Sequence, residues 1–246
     1  MIDIRAEHEG LIAQLRAAGR PYRGGISNDS YTGSGRPFFN VGAPDMRRMT
    51  RAWLAAHRSA PDGELLAMAD SLFAGEAYEE RILGALLLGY SAKARRVATP
   101  AMVEGWLAGL NGWAEIDSLC ASVFRAQEMA AAWPQWRAMI ERLSGDANIN
   151  KRRAALVLLT TPTRTATDGR FAELAYALVE RLKGERPILI TKAISWLLRS
   201  MAAQDPDTVS RFLDDQGPTL PAIAVRETRV KIRTGTKSGR PSGMGR

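Results

Sequence analysis

The chain has 246 residues, 46% of them hydrophobic, and a formal net charge of +8. That length supports one sizeable core or a short repeat array, and the apolar content excludes a disordered chain. The single Cys120 excludes an internal disulfide and fits a reducing cytoplasm; with only His8 and His57 beside it there is no metal-ligand cluster, so no metal or cofactor is expected.

The N-terminal MIDIRAEHEG lacks a signal-peptide pattern, and no apolar run approaches the roughly 18 residues of a membrane span. A cytoplasmic monomer without membrane contact is expected. Ala, Leu and Arg dominate, and apolar residues recur at spacings of three and four, which predicts helices over most of the chain. The first spans about 3–19. RPYRGGISNDSYTGSGRPFFNVG (20–42), rich in Gly, Ser and Asn, then reads as a long extended loop of the kind that holds functional surface. Helices follow at roughly 44–58, 62–73, 78–92, 100–108, 112–127, 131–143, 148–160, 168–183, 187–203, 205–214 and 219–231. Pro44 and Pro100 can each open one, and Gly145 and Gly184 lie between helices. The sequence divides into one HEAT-like repeat domain over 1–232 and a basic, disordered tail over 233–246. Seven cations against Glu227 alone put +6 on residues 226–246, leaving +2 for everything before them. Such an end is either solubilising or a source of electrostatic affinity for a polyanion.

The helices repeat. ERILGALLL (80–88), EIDSLCASV (115–123), RRAALVLLT (152–160) and TKAISWLLR (191–199) each start polar and turn apolar. Arg81, Asp117, Arg153 and Lys192 hold equivalent places, 36, 36 and 39 residues apart. Two helices per unit of about 40 residues predict an all-α, HEAT-like solenoid, an α-α superhelix whose inner helices line a concave face. Asp117, Arg153 and Lys192 are then expected to share one surface.

Four stretches carry a family likeness. SYTGSGRPFFNVGAPDMRR (30–48) is similar to a tyrosine-containing N-terminal segment and an "F-x-G-(I/V)-x-x-P-x-x-R" turn into a helix. NGWAEIDSL (111–119) resembles a "W-x-x-x-D" helix, NINKRRAALVLL (148–159) an "N-I-x-x-x-R-x-A" helix, and LITKAISWLLRSM (189–201) a "Q-K-A-I-G-W-x-L-R" helix. In this order and spacing they resemble the AlkD-like DNA alkylation repair glycosylases, which have HEAT-like repeats. Two positions depart from the pattern: Asn40 and Ser195 stand where the family commonly has glycine.

The resemblance implies a DNA glycosylase that hydrolyses the N-glycosidic bond of cationic alkylated purines, such as 3-methyladenine and 7-methylguanine, in duplex DNA. Alkylation at N3 or N7 leaves the base cationic, so it departs neutral without a general acid while positive charge develops on the sugar. One carboxylate can then stabilise the oxocarbenium-like state, where other glycosidases use two. Asp117 is the expected catalytic carboxylate. Trp113 precedes it by four, on the same helix face, and with Trp196 can pack against the sugar by cation–π attraction of about 0.5–2 kcal/mol. Arg153 is expected to grip a phosphate, and Tyr31 to lie on the DNA-contacting surface. Lys192, Lys151, Arg152, Arg47 and Arg48 are further candidates for phosphate contact. The resemblance also implies that the backbone is held and the sugar attacked without a tight base pocket, unlike base-flipping glycosylases.

Plainer readings stand beside these. Trp53, Trp106, Trp133 and Trp136 read as core, and Cys120 as a small buried residue with no histidine near in sequence to activate it. Asp117 and Arg153 could instead pair and hold adjacent repeats together. On the same fold, a non-catalytic DNA-structure binder and a protein-binding HEAT scaffold are the alternative functions, the second favoured by the near-neutral body.

Overall fold

The computed structural model describes residues 1–21, 28–121 and 123–239, and every regular element among them is helical. The chain forms two compact units, Met1–Phe124 and Arg125 onward. In the first are α1 (Ile4–Ala18), α2 (Asn28–Thr32), α3 (Ala43–Ala56), α4 (Asp62–Ala74), α5 (Tyr78–Tyr90), α6 (Ala92–Val97), α7 (Pro100–Gly109) and α8 (Gly112–Cys120). The second holds α9 (Ala126–Ala131), α10 (Trp133–Ser144), α11 (Ile149–Leu158), α12 (Thr160–Thr165), α13 (Gly169–Leu182), α14 (Ile188–Met201), α15 (Pro206–Gln216) and α16 (Ala222–Thr234).

Each unit is built in two layers. In the first unit α1, α4 and α7 pack in one row and α3, α5 and α8 in another, with α4 lying on α5. In the second, α10 packs on α13, while α11, α14 and α16 form the facing row. The composition of each helix accounts for its layer. Phe171, Leu174, Ala175, Leu178, Val179 and Leu182 make one buried stripe on α13, whose other faces are polar. Helix α11 is apolar all round from Ala154 to Leu158 and is covered on every side there. The four repeat stretches fall on α5, α8, α11 and α14, so each unit contributes two neighbouring copies. The tryptophans read as core are core: Trp53, Trp106, Trp133 and Trp136 are all buried, as is Cys120. No helix among the described residues is long and apolar enough to cross a membrane.

Several boundaries differ from the expectation. The 20–42 stretch is not one extended loop: α2 forms at Asn28–Thr32, while 22–27 lie outside the described residues. The helix expected over 112–127 stops at Cys120, and α9 starts anew where the Glu128 carboxylate accepts the Arg125 N–H at 2.8 Å. Thr160–Thr165 is helical despite its threonines: Pro162 sits in the first turn, where a missing N–H leaves no helix bond unmade, and Thr163 and Thr165 donate back to the Leu159 and Thr161 carbonyls. Helix α16 runs to Thr234 and ends on Gly235 in the left-handed conformation, past the expected start of the tail. Residues 240–246 of that tail lie outside the described residues.

Candidate functional site

The site in the first unit begins with a glycine. Gly112 opens α8 at φ +70°, and a Cβ there would lie 2.1 Å from the Thr32 carbonyl oxygen and 2.6 Å from the Gly33 carbonyl carbon. Only the missing side chain lets the start of α8 meet the end of α2. That contact brings Tyr31 onto Trp113. The Trp113 indole N–H donates to the Tyr31 carbonyl at 2.6 Å, and the two rings meet edge to face with centroids 5.2 Å apart. Such a pair contributes about 0.5–1.5 kcal/mol beyond its buried area. Tyr31 itself is 62% exposed.

On α8 the partly exposed positions are Trp113, Asp117 and Ser118, while Ala114, Glu115, Ile116, Leu119 and Cys120 are buried. Tyr31, Trp113 and Asp117 therefore border one surface, as the spacing of four predicts. Glu115, two residues before Asp117, points the other way and is 1% exposed. It accepts the Ser34 hydroxyl, accepts the Asn111 N–H at 3.0 Å and pairs with the Arg36 guanidinium at 3.5 Å. Arg36 in turn donates to the Gly109 carbonyl at 2.5 Å. This buried carboxylate ties the segment after α2 beneath the Tyr31–Trp113 pair.

A second buried carboxylate, Glu79, shapes the chain that leads into α3. Its two oxygens accept the N–H groups of Phe39 (3.0 Å) and Val41 (3.2 Å), on either side of Asn40. Asn40 lies at φ +60°, alone among described non-glycine residues in having positive φ. Asparagine replaces glycine there without losing the turn, because it tolerates the left-handed region better than most side chains.

In the second unit Ile188, Lys192, Trp196 and Arg199 are among the outward positions of α14. They follow one another by three or four, a single stripe. Lys192 is exposed, Trp196 and Arg199 are partly so, and Ser195 beside them is fully buried. The Ser195 hydroxyl donates to Glu227 on α16 at 2.6 Å, and the same carboxylate lies 3.6 Å from Arg199 and 3.5 Å from Lys237. The serine at this position thus ties α14 to α16.

Arg153 is buried on α11, and one of its guanidinium N–H groups donates to the Leu189 carbonyl at 2.5 Å. Lys151 and Arg152 are engaged too. Lys151 pairs with Asp146 at 3.0 Å, and Arg152 forks onto Glu185 at 2.8 and 3.1 Å while donating to the carbonyls of Asp146 and Ala147. Arg47 and Arg48 are exposed on α3, Arg48 beside Asp45 at 2.7 Å. The Asp117 helix belongs to one unit and the Arg153, Lys192 and Trp196 helices to the other.

The model of the DNA alkylation repair enzyme family matches residues 11–232. The chain belongs to that family. No curated protein matches the chain. Among solved structures, it is similar to a predicted DNA alkylation repair enzyme from Enterococcus faecalis, with TM-score 0.63 and 17% identity over 81% of this chain and 90% of that one. It is also similar to AlkD2 from Streptococcus mutans, with TM-score 0.55 and 16% identity over 85% and 89% of the two chains. At these identities the structural likeness concerns the fold, which is all-α and of the helical-repeat type. Within the DNA alkylation repair enzyme family pattern, the two departures have local partners here: a left-handed turn clamped by Glu79 at Asn40, and a hydroxyl tied to Glu227 at Ser195. Sequence reasoning missed Gly112, Glu79 and Glu227, and read of Glu115 only that it points away from Asp117 on the helix. The one available signal was the Asn-Gly pair before α8, which marks a turn but not its neighbour.

Proposed function

We propose that this member of the family is a monofunctional DNA glycosylase that hydrolyses the N-glycosidic bond of cationic alkylated purines in duplex DNA, 3-methyladenine and 7-methylguanine among them, as a step of base excision repair. The observation that carries the proposal is the pairing of Trp113 and Asp117 on the open stripe of α8, with the indole held by the Tyr31 carbonyl. A fixed aromatic wall and a carboxylate one turn away match what an oxocarbenium-like sugar needs. The leaving base is already cationic, so a second acid is unnecessary. Glu115 could not serve as one, since it is buried and committed to Ser34, Asn111 and Arg36.

In this reading Asp117 stabilises the developing sugar cation and orients the attacking water. Trp113 packs against the sugar, and Tyr31 fixes that indole while bordering the DNA. Trp196 and Lys192, on the stripe of α14, contribute an aromatic face and a phosphate contact. Arg153, a phosphate contact in this reading, is buried and donates to the Leu189 carbonyl. The basic end of α16 adds salt-dependent affinity.

The test is release of free base from methylated duplex DNA by the wild type and by Asp117→Asn at equal DNA occupancy. Release that falls by at least about a hundredfold in the variant is expected, the scale of removing one transition-state electrostatic group. Tight, salt-sensitive DNA binding with no release by the wild type would leave the chain a DNA-structure binder. Absence of salt-sensitive DNA binding would leave a protein-binding scaffold.

A further inference from the structure

A cavity of about 410 Å³ opens between α4 and α7 in the first unit, with Arg81 of α5 among its lining residues. Arg81 is 8% exposed, and its guanidinium Nε is fully buried without a hydrogen-bond partner. A buried cation left without partners is costly, and water can supply a hydrogen bond but no countercharge. The nearest opposing charges are partly spent: Glu80 is bonded to His8 and to the Ala77 N–H, and Glu115 serves Arg36, Ser34 and Asn111. Burial first, and then the like charge of Arg36, push the Arg81 guanidinium below its ordinary value against the pull of those two carboxylates.

Apart from Asp70, the rest of the lining is apolar or bare. Phe73 and Trp106 stack with centroids 4.8 Å apart. Gly105 and Gly109 stand one turn apart on α7: a Cβ on Gly105 would meet nothing within 4 Å, and one on Gly109 would come within 3.1 Å of the Arg81 guanidinium. Asp70, also in the lining, accepts the Trp106 indole N–H at 2.8 Å and fixes that ring. Its charge repels an anion throughout the cavity and most strongly beside Asp70 itself, so the anionic group is placed at Arg81.

We infer that this cavity binds a small organic anion, its carboxylate or phosphate on Arg81 and its flat apolar body along the Phe73–Trp106 wall beside Gly105. The inference is independent of the glycosylase reading, since neither Trp113 nor Asp117 lines the cavity. The experiment is calorimetric titration of the full chain with benzoate, with deoxyadenosine 5′-monophosphate and with inorganic phosphate. It is repeated on Arg81→Met, which keeps the length of the side chain without its charge, and on Gly105→Leu, which fills the bare wall and leaves Arg81 in place. Saturable binding of benzoate or of the nucleotide is expected, weakened about tenfold or more by each substitution, as for loss of a charge-assisted contact. Which of the two binds tells a simple aromatic acid from a nucleotide. Inorganic phosphate binding as tightly as either would overturn the apolar half of the assignment. Absence of saturation with all three, or binding indifferent to both substitutions, would overturn the site.

Discussion

The indole N–H of Trp113 reaches the main-chain carbonyl of Tyr31 at 2.6 Å across 82 residues of sequence. This bond fixes the ring through backbone rather than through another side chain, so it survives any substitution at Tyr31 that keeps α2 in place. Its requirement is the close approach at Gly112. Replacing Gly112 with Ala puts a methyl 2.1 Å from the Thr32 oxygen at a positive φ. The expected cost is at least about 2 kcal/mol in urea unfolding, from left-handed strain plus the clash. The near-ultraviolet dichroism of the tryptophans should change with it. A cost under about 0.5 kcal/mol would mean that α2 is not held against α8.

Glu115 and Asp117 stand two residues apart on one helix and have opposite surroundings. Glu115→Ala removes the acceptor for Ser34 and Asn111 and leaves Arg36 without its carboxylate. Breaking a buried pair in this way is expected to cost about 3–5 kcal/mol. Thermal unfolding measures it, and a near-neutral result would remove Glu115 from the scaffold of the site.

The turn at Asn40 makes a prediction with two arms. Asn40→Gly should change stability by less than about 1 kcal/mol, since both residues accept the left-handed conformation and Glu79 still binds the flanking N–H groups. Asn40→Val should cost about 1–3 kcal/mol, because a β-branched side chain clashes there. Equal effects of the two in chemical denaturation would contradict the geometry.

Tyr78 sets an alkaline limit. Burial, then the charges of Glu79 and Glu115, push its hydroxyl from 10.0 up to about 12. The folded state therefore holds the Tyr78 proton more tightly than the unfolded chain does. The stability associated with it is fully present below pH 10.0, and is lost as pH rises from there towards about 12. Tyr78→Phe, which has no proton to lose, should show a shallower fall in stability across that window. Parallel curves for the two proteins would refute the assignment.

Periodicity alone was enough for much of this chain. Apolar spacing of three and four placed nearly every long helix within a few residues, and the 36- and 39-residue intervals identified α5, α8, α11 and α14 as equivalent. The Trp113–Asp117 face was legible for the same reason: a spacing of four on a helix is a fact of helix geometry. The short helices α2, α9 and α12 were not, because five or six residues are too few to show an apolar stripe.

What the sequence by itself determined is the all-α repeat class, the membership in the family, and which residues share a helix face, since all three depend on local spacing and residue type. The tertiary structure alone decided which charges are buried and what they hold. Glu79 and Glu115 look like ordinary helix-surface residues in the sequence, and Arg153 like an open phosphate contact, yet each is buried. Their burial depends on partners that distant segments bring to them, the Ser34 hydroxyl, the Phe39 N–H and the Leu189 carbonyl, from about 36 to 81 residues away, and no local pattern encodes that distance.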